Sequence, residues 1–371
     1  MQSATDLLKL AVEKNASDIF IGAGRNLSFK IGGVITAQGD GPISVTDSKI
    51  LVTGLFQLAG RSVESFARKK DDDFPITLAG VARFRVSAYS QRGTFAAVVR
   101  VVLFELPDYK SLHIPAEVMK ISNETNGLAL VSGPAGSGKT TTLACIIDAV
   151  NKSRNCHIIT LEDPIEYLHR DNKSLISQRE ISTDTKSYTK ALRACLRKAP
   201  DIVLLGEMRD HETIGTAMTA AETGHLIIST LHTVGAVNTI DRIVDVFPPQ
   251  QQQLVRVQLS MLLRTVVSQQ LLINKSGGLT PAFEVMHVNS AIRNLIRESK
   301  THQIDNVIQT SANAGMVSMD AYIVSLVQSG EISPETAIGH AANPEQMLRQ
   351  LERLNLEPSV ENEKSQADAD S

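Results

Sequence analysis

Gly133-Pro134-Ala135-Gly136-Ser137-Gly138-Lys139-Thr140 fits the pattern G-x-x-x-x-G-K-[ST], and the residues around it decide how the chain folds. Leu128-Ala129-Leu130-Val131-Ser132 before it reads as a buried strand, and Thr141-Thr142-Leu143-Ala144-Cys145-Ile146-Ile147 after it reads as a helix. Strand, glycine-rich turn and helix in that order make a phosphate cradle, where a chance match would lack the flanking elements. The glycines let backbone N–H groups point inward at phosphate oxygens, backed by the positive end of the helix. Gly133, Pro134, Ala135, Gly136, Ser137, Gly138, Lys139, Thr140 and the adjoining Thr141 are thus the expected nucleotide-binding stretch. Lys139 is expected to reach the β- and γ-phosphates and the Thr140 hydroxyl to bind Mg²⁺. The sequence predicts a binder of nucleoside triphosphate.

Composition narrows the partners. A chain of 371 residues holds two domains or three, each able to bury its own core. Hydrophobic content of 42% and charged content of 21% are those of a soluble globular protein. Lys and Arg number 37 against 40 Asp and Glu, a net charge of −3 that gives no electrostatic case for nucleic acid. Trp is absent and aromatics are 4%, so no base-stacking platform is expected either. Cys145, Cys156 and Cys195 lie in apolar segments without C-x-x-C spacing and read as buried thiols of a reducing compartment. Asp6, Lys9 and Glu13 break the N-terminal stretch, so it does not read as a signal peptide. No apolar run approaches membrane-spanning length. A cytoplasmic protein, open to peripheral attachment, is the expectation.

Residues 1–105 read as a small α+β domain: a helix over 4–14, alternating strands over 18–21 and 27–31, and a Gly32-Gly33 turn. A helix over 47–58 and strands over 74–78, 82–89 and 94–102 follow. Residues 106–115, bracketed by Pro107 and Pro115, read as a linker. From 116 to 358 strand and helix alternate, the signature of a parallel sheet. Its strands are expected at 128–132, 156–161, 201–205 and 225–230, and its helices at 140–150, 188–196 and 211–222. After Asp241 the pattern predicts mostly helix, with Leu254, Val257, Met261 and Val266-Val267 on one amphipathic helix and another over 291–298. Residues 359–371 are polar and expected to be disordered. No internal repeat is present.

Three clusters sit at the ends of expected strands, where an open α/β sheet places its site. Glu162-Asp163-Pro164-Ile165-Glu166 carries three carboxylates in five residues, more than a turn requires. Triphosphate hydrolysis uses a base or water-positioning group and negative charge around a metal; the plain alternative is a solvated acidic turn broken by Pro164. An apolar strand running into Gly206-Glu207-Met208-Arg209-Asp210 has the Walker B arrangement, with Glu207 holding Mg²⁺ and Gly206 allowing close approach of the nucleotide. A buried strand followed by a charged helix start explains Arg209 and Asp210 and leaves Glu207 unexplained. In Thr223-Gly224-His225-Leu226-Ile227-Ile228-Ser229-Thr230-Leu231-His232, one histidine enters a strand and the other leaves it. His232 is placed to sense the γ-phosphate; for His225 a structural and a functional role stay open. Arg83, Arg85, Arg92 and Arg100 punctuate two strands. Arg85 and Arg100 come side by side if those strands pair, which suits phosphate oxygens, although plain surface solvation accounts for them.

The order of these boxes resembles the secretion-type ATPases that power type IV pili and type II secretion, and within them the pilus retraction (twitching motility) ATPases PilT and PilU. The resemblance spans residues 16 to about 342. It rests on Ala16-Ser17-Asp18, Ala82-Arg83-Phe84-Arg85-Val86, the phosphate loop, the two acidic boxes, Ala220-Ala221-Glu222-Thr223-Gly224-His225 and Thr239-Ile240-Asp241-Arg242. Ala291-Ile292-Arg293-Asn294-Leu295-Ile296-Arg297-Glu298 is its most specific part, a helix that assembly ATPases generally lack. The resemblance implies a homohexameric, Mg²⁺-dependent ATPase, each subunit a PAS-like domain and a RecA-like domain with ATP between them. It implies Glu166 as general base, Glu207 as the Walker B carboxylate, His225 and His232 as the histidine-box pair, and Arg85 and Arg100 as arginines reaching the nucleotide. It also implies docking at the inner face of the cell membrane on a platform protein, with a paralogous retraction ATPase as a further partner. Ser17-Asp18-Ile19-Phe20, Leu27-Ser28 and the 343–354 segment depart toward PilU. The missing tetracysteine zinc module argues against an assembly or type II secretion role. A weakly hydrolysing PilU-like accessory, a pilus-assembly ATPase and a small-molecule kinase are the rival readings.

Overall fold

Alternation along β5 (Ala82–Gln91 in the numbering below) shows how the first sheet is covered: Ala82, Phe84, Val86 and Ala88 point into a core while Arg85 and Ser87 face out. The computed structural model describes residues 3–39, 41–102, 106–181 and 183–356. It divides into two units, Met1–Leu106 with Ile165–Arg170, and Pro107–Pro164 with Asp171–Ser371. The first contains α1 (Ala4–Glu13), β1 (Ala16–Gly22), β2 (Leu27–Ile31), β3 (Val34–Gln38), α2 (Val45–Leu58), α3 (Val63–Lys69), β4 (Asp71–Leu78), β5 and β6 (Thr94–Val102). Its six strands form an antiparallel sheet in the order β3-β2-β1-β6-β5-β4. Leu7, Leu8, Leu51, Leu55 and Phe56 of the two long helices bury one face against Phe29, Phe84 and Val99. An antiparallel sheet tolerates solvent on its other face, and that face carries the polar half of the alternation. Ser44 and Asp47 close a reciprocal capping box that starts α2.

The second unit runs α4 (Ala116–Met119), β7 (Gly127–Ser132), α5 (Lys139–Ser153), β8 (His157–Glu162), β9 (Leu175–Glu180), α6 (Tyr188–Cys195), β10 (Ile202–Leu205), α7 (His211–Glu222) and β11 (Leu226–Leu231). It continues with α8 (Ala236–Asp245), α9 (Pro249–Leu262), β12 (Leu263–Ile273), β13 (Leu279–His287), α10 (Ser290–Arg297), α11 (Ile304–Thr310), α12 (Met319–Gln328), α13 (Pro334–His340) and α14 (Pro344–Arg353). Seven strands lie in the order β13-β12-β7-β11-β10-β8-β9, parallel except for β13. Every residue of β7 is buried. Leu128 and Leu130 join one core and Ala129 and Val131 another, because helices cover both faces of a parallel sheet. The fold is mixed α/β.

The stretch after Asp241 is mostly helical among the described residues, but one expected helix is corrected: α9 stops at Leu262, and Val266 and Val267 lie on β12, hairpinned to β13. Leu254 and Met261 of α9 are exposed while Val255 and Leu259 are buried, so the apolar stripe that turns inward is the neighbouring one. The 106–115 stretch packs on the second unit, with Ile114 buried and Cys145 Sγ donating to the Pro107 carbonyl at 3.4 Å. Cys145 and Cys195 are buried and Cys156 half-buried, all as free thiols. Burial, with Asp148 beside it, pushes the Cys145 thiol up to about 11, which keeps it unreactive at neutral pH. The tail expected to be disordered, 359–371, lies outside the described residues.

Candidate active site

The loop from Gly133 joins β7 to α5, and its backbone is one that side chains resist. Gly133, Gly136 and Gly138 have φ of 145°, 77° and 86°. A Cβ on Gly133 would stand 2.2 Å from the Gln269 carbonyl oxygen, and one on Gly138 would stand 2.8 Å from Gln269 Nε2. Nothing lies within 4 Å of a Cβ built on Gly136. Gly138 is the N-cap of α5 and no side chain caps that helix, and a helix N-terminus is a ready place for an anion. Lys139 is buried, with Nζ donating to the Gly133 carbonyl at 2.9 Å and the Pro134 carbonyl at 2.7 Å. Ser137 Oγ is buried without a hydrogen-bond partner. An unpaired buried hydroxyl costs about 1–3 kcal/mol. These features fit a polyphosphate: a bent cradle, an ammonium inside it and an orphan hydroxyl. Thr140 and Thr141, half-buried, begin the helix.

At the adjoining strand ends Glu207 and His232 come together. His232 Nε2 is 3.4 Å from Glu207 Oε2, and Arg209 pairs with Glu207 Oε1 at 2.5 Å. Ser229 Oγ donates to the Leu205 carbonyl and Thr230 Oγ1 to the Gly206 carbonyl, which locks the ends of β10 and β11 to each other. Among the described residues no group of three His, Cys, Asp or Glu could hold a metal. The oxygen donors that the sequence leads one to expect for a metal here are the Thr140 hydroxyl and the Glu207 carboxylate. That set fits Mg²⁺, which keeps waters and takes phosphate oxygens in place of a protein cage.

The acidic box splits by environment. Glu162 is buried and accepts from Thr160 Oγ1 at 2.6 Å and Gln178 Nε2 at 3.2 Å, whereas Glu166 is exposed on the segment grouped with the first unit. Gly206 is required for a reason the sequence did not suggest. A Cβ there would stand 2.8 Å from the Tyr188 hydroxyl and 3.1 Å from the Leu161 carbonyl, so it is protein that makes the close approach. Burial first, then the Glu207 carboxylate, raises the Tyr188 hydroxyl well above its usual range, so it stays a donor.

His225 is not brought to the loop. It precedes β11, its Nδ1 is 3.0 Å from the Ala220 carbonyl and 3.2 Å from Thr223 Oγ1, and its own carbonyl accepts from Gly127 N at the start of β7. Six residues of extended chain, β11, lie between it and His232, a span of roughly 23 Å; its bonds are those of a helix-to-strand corner. In the first unit, Arg85 and Arg100 pair directly across β5 and β6 and both are exposed. Gln269 escaped the sequence reading altogether. Only 3% exposed, it accepts from Thr142 Oγ1 at 2.7 Å and backs the glycines of the loop. The signal was present in Thr265-Val266-Val267, β-branched and therefore strand-prone.

The chain matches the family described as type II/IV secretion system protein over residues 2–306. It is 49% identical over 276 residues to a twitching motility protein of Neisseria gonorrhoeae, 74% of either chain. It is 41% identical over 341 residues to the type IV pilus retraction ATPase PilT of Pseudomonas aeruginosa, 92% of this chain and 98% of the relative. A crystal structure of the pilus retraction motor PilT with bound ADP superposes with a TM-score of 0.86 at 40% identity, covering 94% of this chain and all of that one.

Proposed function

The chain belongs to the type II/IV secretion system protein family, and from that premise we propose that it is the ATP-hydrolysing motor of type IV pilus retraction. The observation that carries this reading is the glycine cradle at 133–140 beside the Glu207–His232 pair, in a chain 41% identical to PilT. Adenine nucleotide is the ligand it supports, as in the ADP-bound motor of like fold.

In this reading the loop N–H groups and Lys139 hold the β- and γ-phosphates, with Ser137 Oγ as a further donor. Glu166 takes a proton from the attacking water, and Glu207 keeps the His232 ring at the γ-phosphate edge. Thr140 and Glu207 would hold Mg²⁺, which would supply charge neutralisation to the phosphate oxygens. Arg85 and Arg100 of the first unit add positive charge as the γ-phosphoryl group departs. The first unit is read as PAS-like and the second as RecA-like. The working assembly is a homohexamer in the cytoplasm, at the inner face of the cell membrane. Its partners are a platform protein there and a paralogous retraction ATPase. Among the described residues no helix is long and apolar enough to cross a membrane.

The test is phosphate release from ATP by the purified full-length protein. Turnover that depends on Mg²⁺, stops with EDTA and vanishes in Lys139→Ala is expected. Hydrolysis that survives Lys139→Ala would refute the loop as its seat.

A further inference from the structure

Ala16-Ser17-Asp18 takes no part in the chemistry above, yet Asp18 is the one buried charged residue among the described residues of the first unit, at 6% exposure. The sheet register sets Asp18 opposite Arg100, Arg100 opposite Arg85, and Lys30 on the far side of Asp18. Residues paired across neighbouring strands project from the same face. Lys30, Asp18, Arg100 and Arg85 therefore form one row across β2, β1, β6 and β5, three cations to one anion. Like charges set directly opposite each other destabilise a sheet, so the Arg100–Arg85 pair is a cost to the fold that a bound anion would offset.

Asp18 does more than neutralise. Its Oδ1 accepts from Arg100 Nε at 3.0 Å and its Oδ2 from Ser17 Oγ at 2.9 Å, while Ser17 Oγ also lies 3.3 Å from the Lys30 carbonyl. Both carboxylate oxygens are engaged, so the carboxylate cannot swing. The bond to Arg100 uses Nε, the guanidinium nitrogen nearest the backbone. The terminal nitrogens stay outward on a side chain 68% exposed. They offer four N–H donors in a planar fork, the geometry that grips a phosphate bidentately. Fixing an arginine side chain beforehand removes part of its ordering entropy from the reaction.

We propose that Asp18 is a positioning residue for nucleotide turnover: it holds Arg100 through Nε so that the terminal nitrogens, beside Arg85, meet phosphate oxygens. The proposal rests on the reading of Arg85 and Arg100 as phosphate ligands. It gives the Ala16-Ser17-Asp18 motif a chemical task, with Ser17 orienting the carboxylate that orients the arginine.

Turnover of the full-length protein is measured at saturating and at low ATP, with melting temperatures, for Asp18→Ala, Asp18→Asn, Arg100→Ala and the Asp18→Ala/Arg100→Ala double variant. Arg100→Ala is expected to lower kcat about tenfold or more, as loss of a transition-state charge does, and Asp18→Ala to lose most of the same factor. Asp18→Asn keeps an oxygen for the Nε–H and is expected within about threefold of the parent. The double variant is expected to be no slower than Arg100→Ala, since Asp18 acts through that side chain. A double variant slower by the full Asp18→Ala factor gives Asp18 a merely structural role and overturns the proposal. So does Asp18→Ala at the parent rate beside a slow Arg100→Ala. Arg100→Ala at the parent rate places the failure one step earlier, in the arginine as phosphate ligand.

Discussion

Glu166 and Glu207 sit in unlike surroundings, which suits the different work proposed for them. Glu207 is mostly enclosed and is shared between Arg209 and His232, the setting of a carboxylate held in place. Glu166 is exposed and free to meet water. Glu166→Gln is accordingly expected to leave the ATP dissociation constant within about threefold of the parent while lowering turnover by about a hundredfold or more, the usual contribution of a positioned base. Nucleotide titration and phosphate release on one preparation check it; parallel loss of both would remove Glu166 from the base role. At this scale the sequence was a good guide wherever chemistry is written into residue type and local order. Lys139, Glu207 and His232 were all legible, because a strand end fixes where the next two or three side chains go. His225 enters β11 at the end where β7 begins, away from the loop, which its place before the strand already allowed; its functional role rested on the resemblance. The contact that a Cβ on Gly206 would make with the Tyr188 hydroxyl is a packing demand that no motif spells out.

The element that sequence reading missed is β12. A helix passes straight into a strand at Leu262 and Leu263 without glycine or proline between them, so hydrophobic spacing alone carried the helix too far. The consequence is local and testable, because Gln269 of that strand backs the phosphate loop. Gln269→Leu leaves the buried Thr142 hydroxyl without its acceptor and is expected to cost about 1–3 kcal/mol of stability. It should also raise the ATP dissociation constant; urea midpoints and nucleotide titration report the two effects. Unchanged values for both would mean that Gln269 does not brace the loop.

The end of the hairpin carries a pH dependence. His287 of β13 lies against Thr265, Glu117 and Lys120. Burial first, then the Lys120 cation, lowers its pKa below the ordinary value, with Glu117 pulling the other way. Below about pH 6.5 the unfolded chain binds a proton there that the folded chain refuses. Stability therefore rises with pH through that window and is lost as pH falls. His287→Gln is expected to lose less of its urea midpoint between pH 7.5 and pH 5.5 than the parent. An equal drop in the two proteins would clear His287 of the effect.

For the whole molecule, the alternation of strands and helices after residue 116 announced a parallel sheet, and the structure has one. Strand order was beyond reach. β11 and β10 insert between β7 and β8, and nothing in a linear pattern says which later strand returns beside the first. The grouping of Ile165–Arg170 with the first unit was equally hidden, since both flanks of that segment belong to the second. Retraction as the task of the molecule is a claim about a cell, and the direct measurement is made there. In a strain lacking this chain, surface pili are counted by electron microscopy, with the parent or the Lys139→Ala variant restored. The account predicts excess pili that fail to retract in the deletion and in Lys139→Ala, and normal numbers with the parent. Bald cells in the deletion strain would contradict it and assign the chain to pilus assembly.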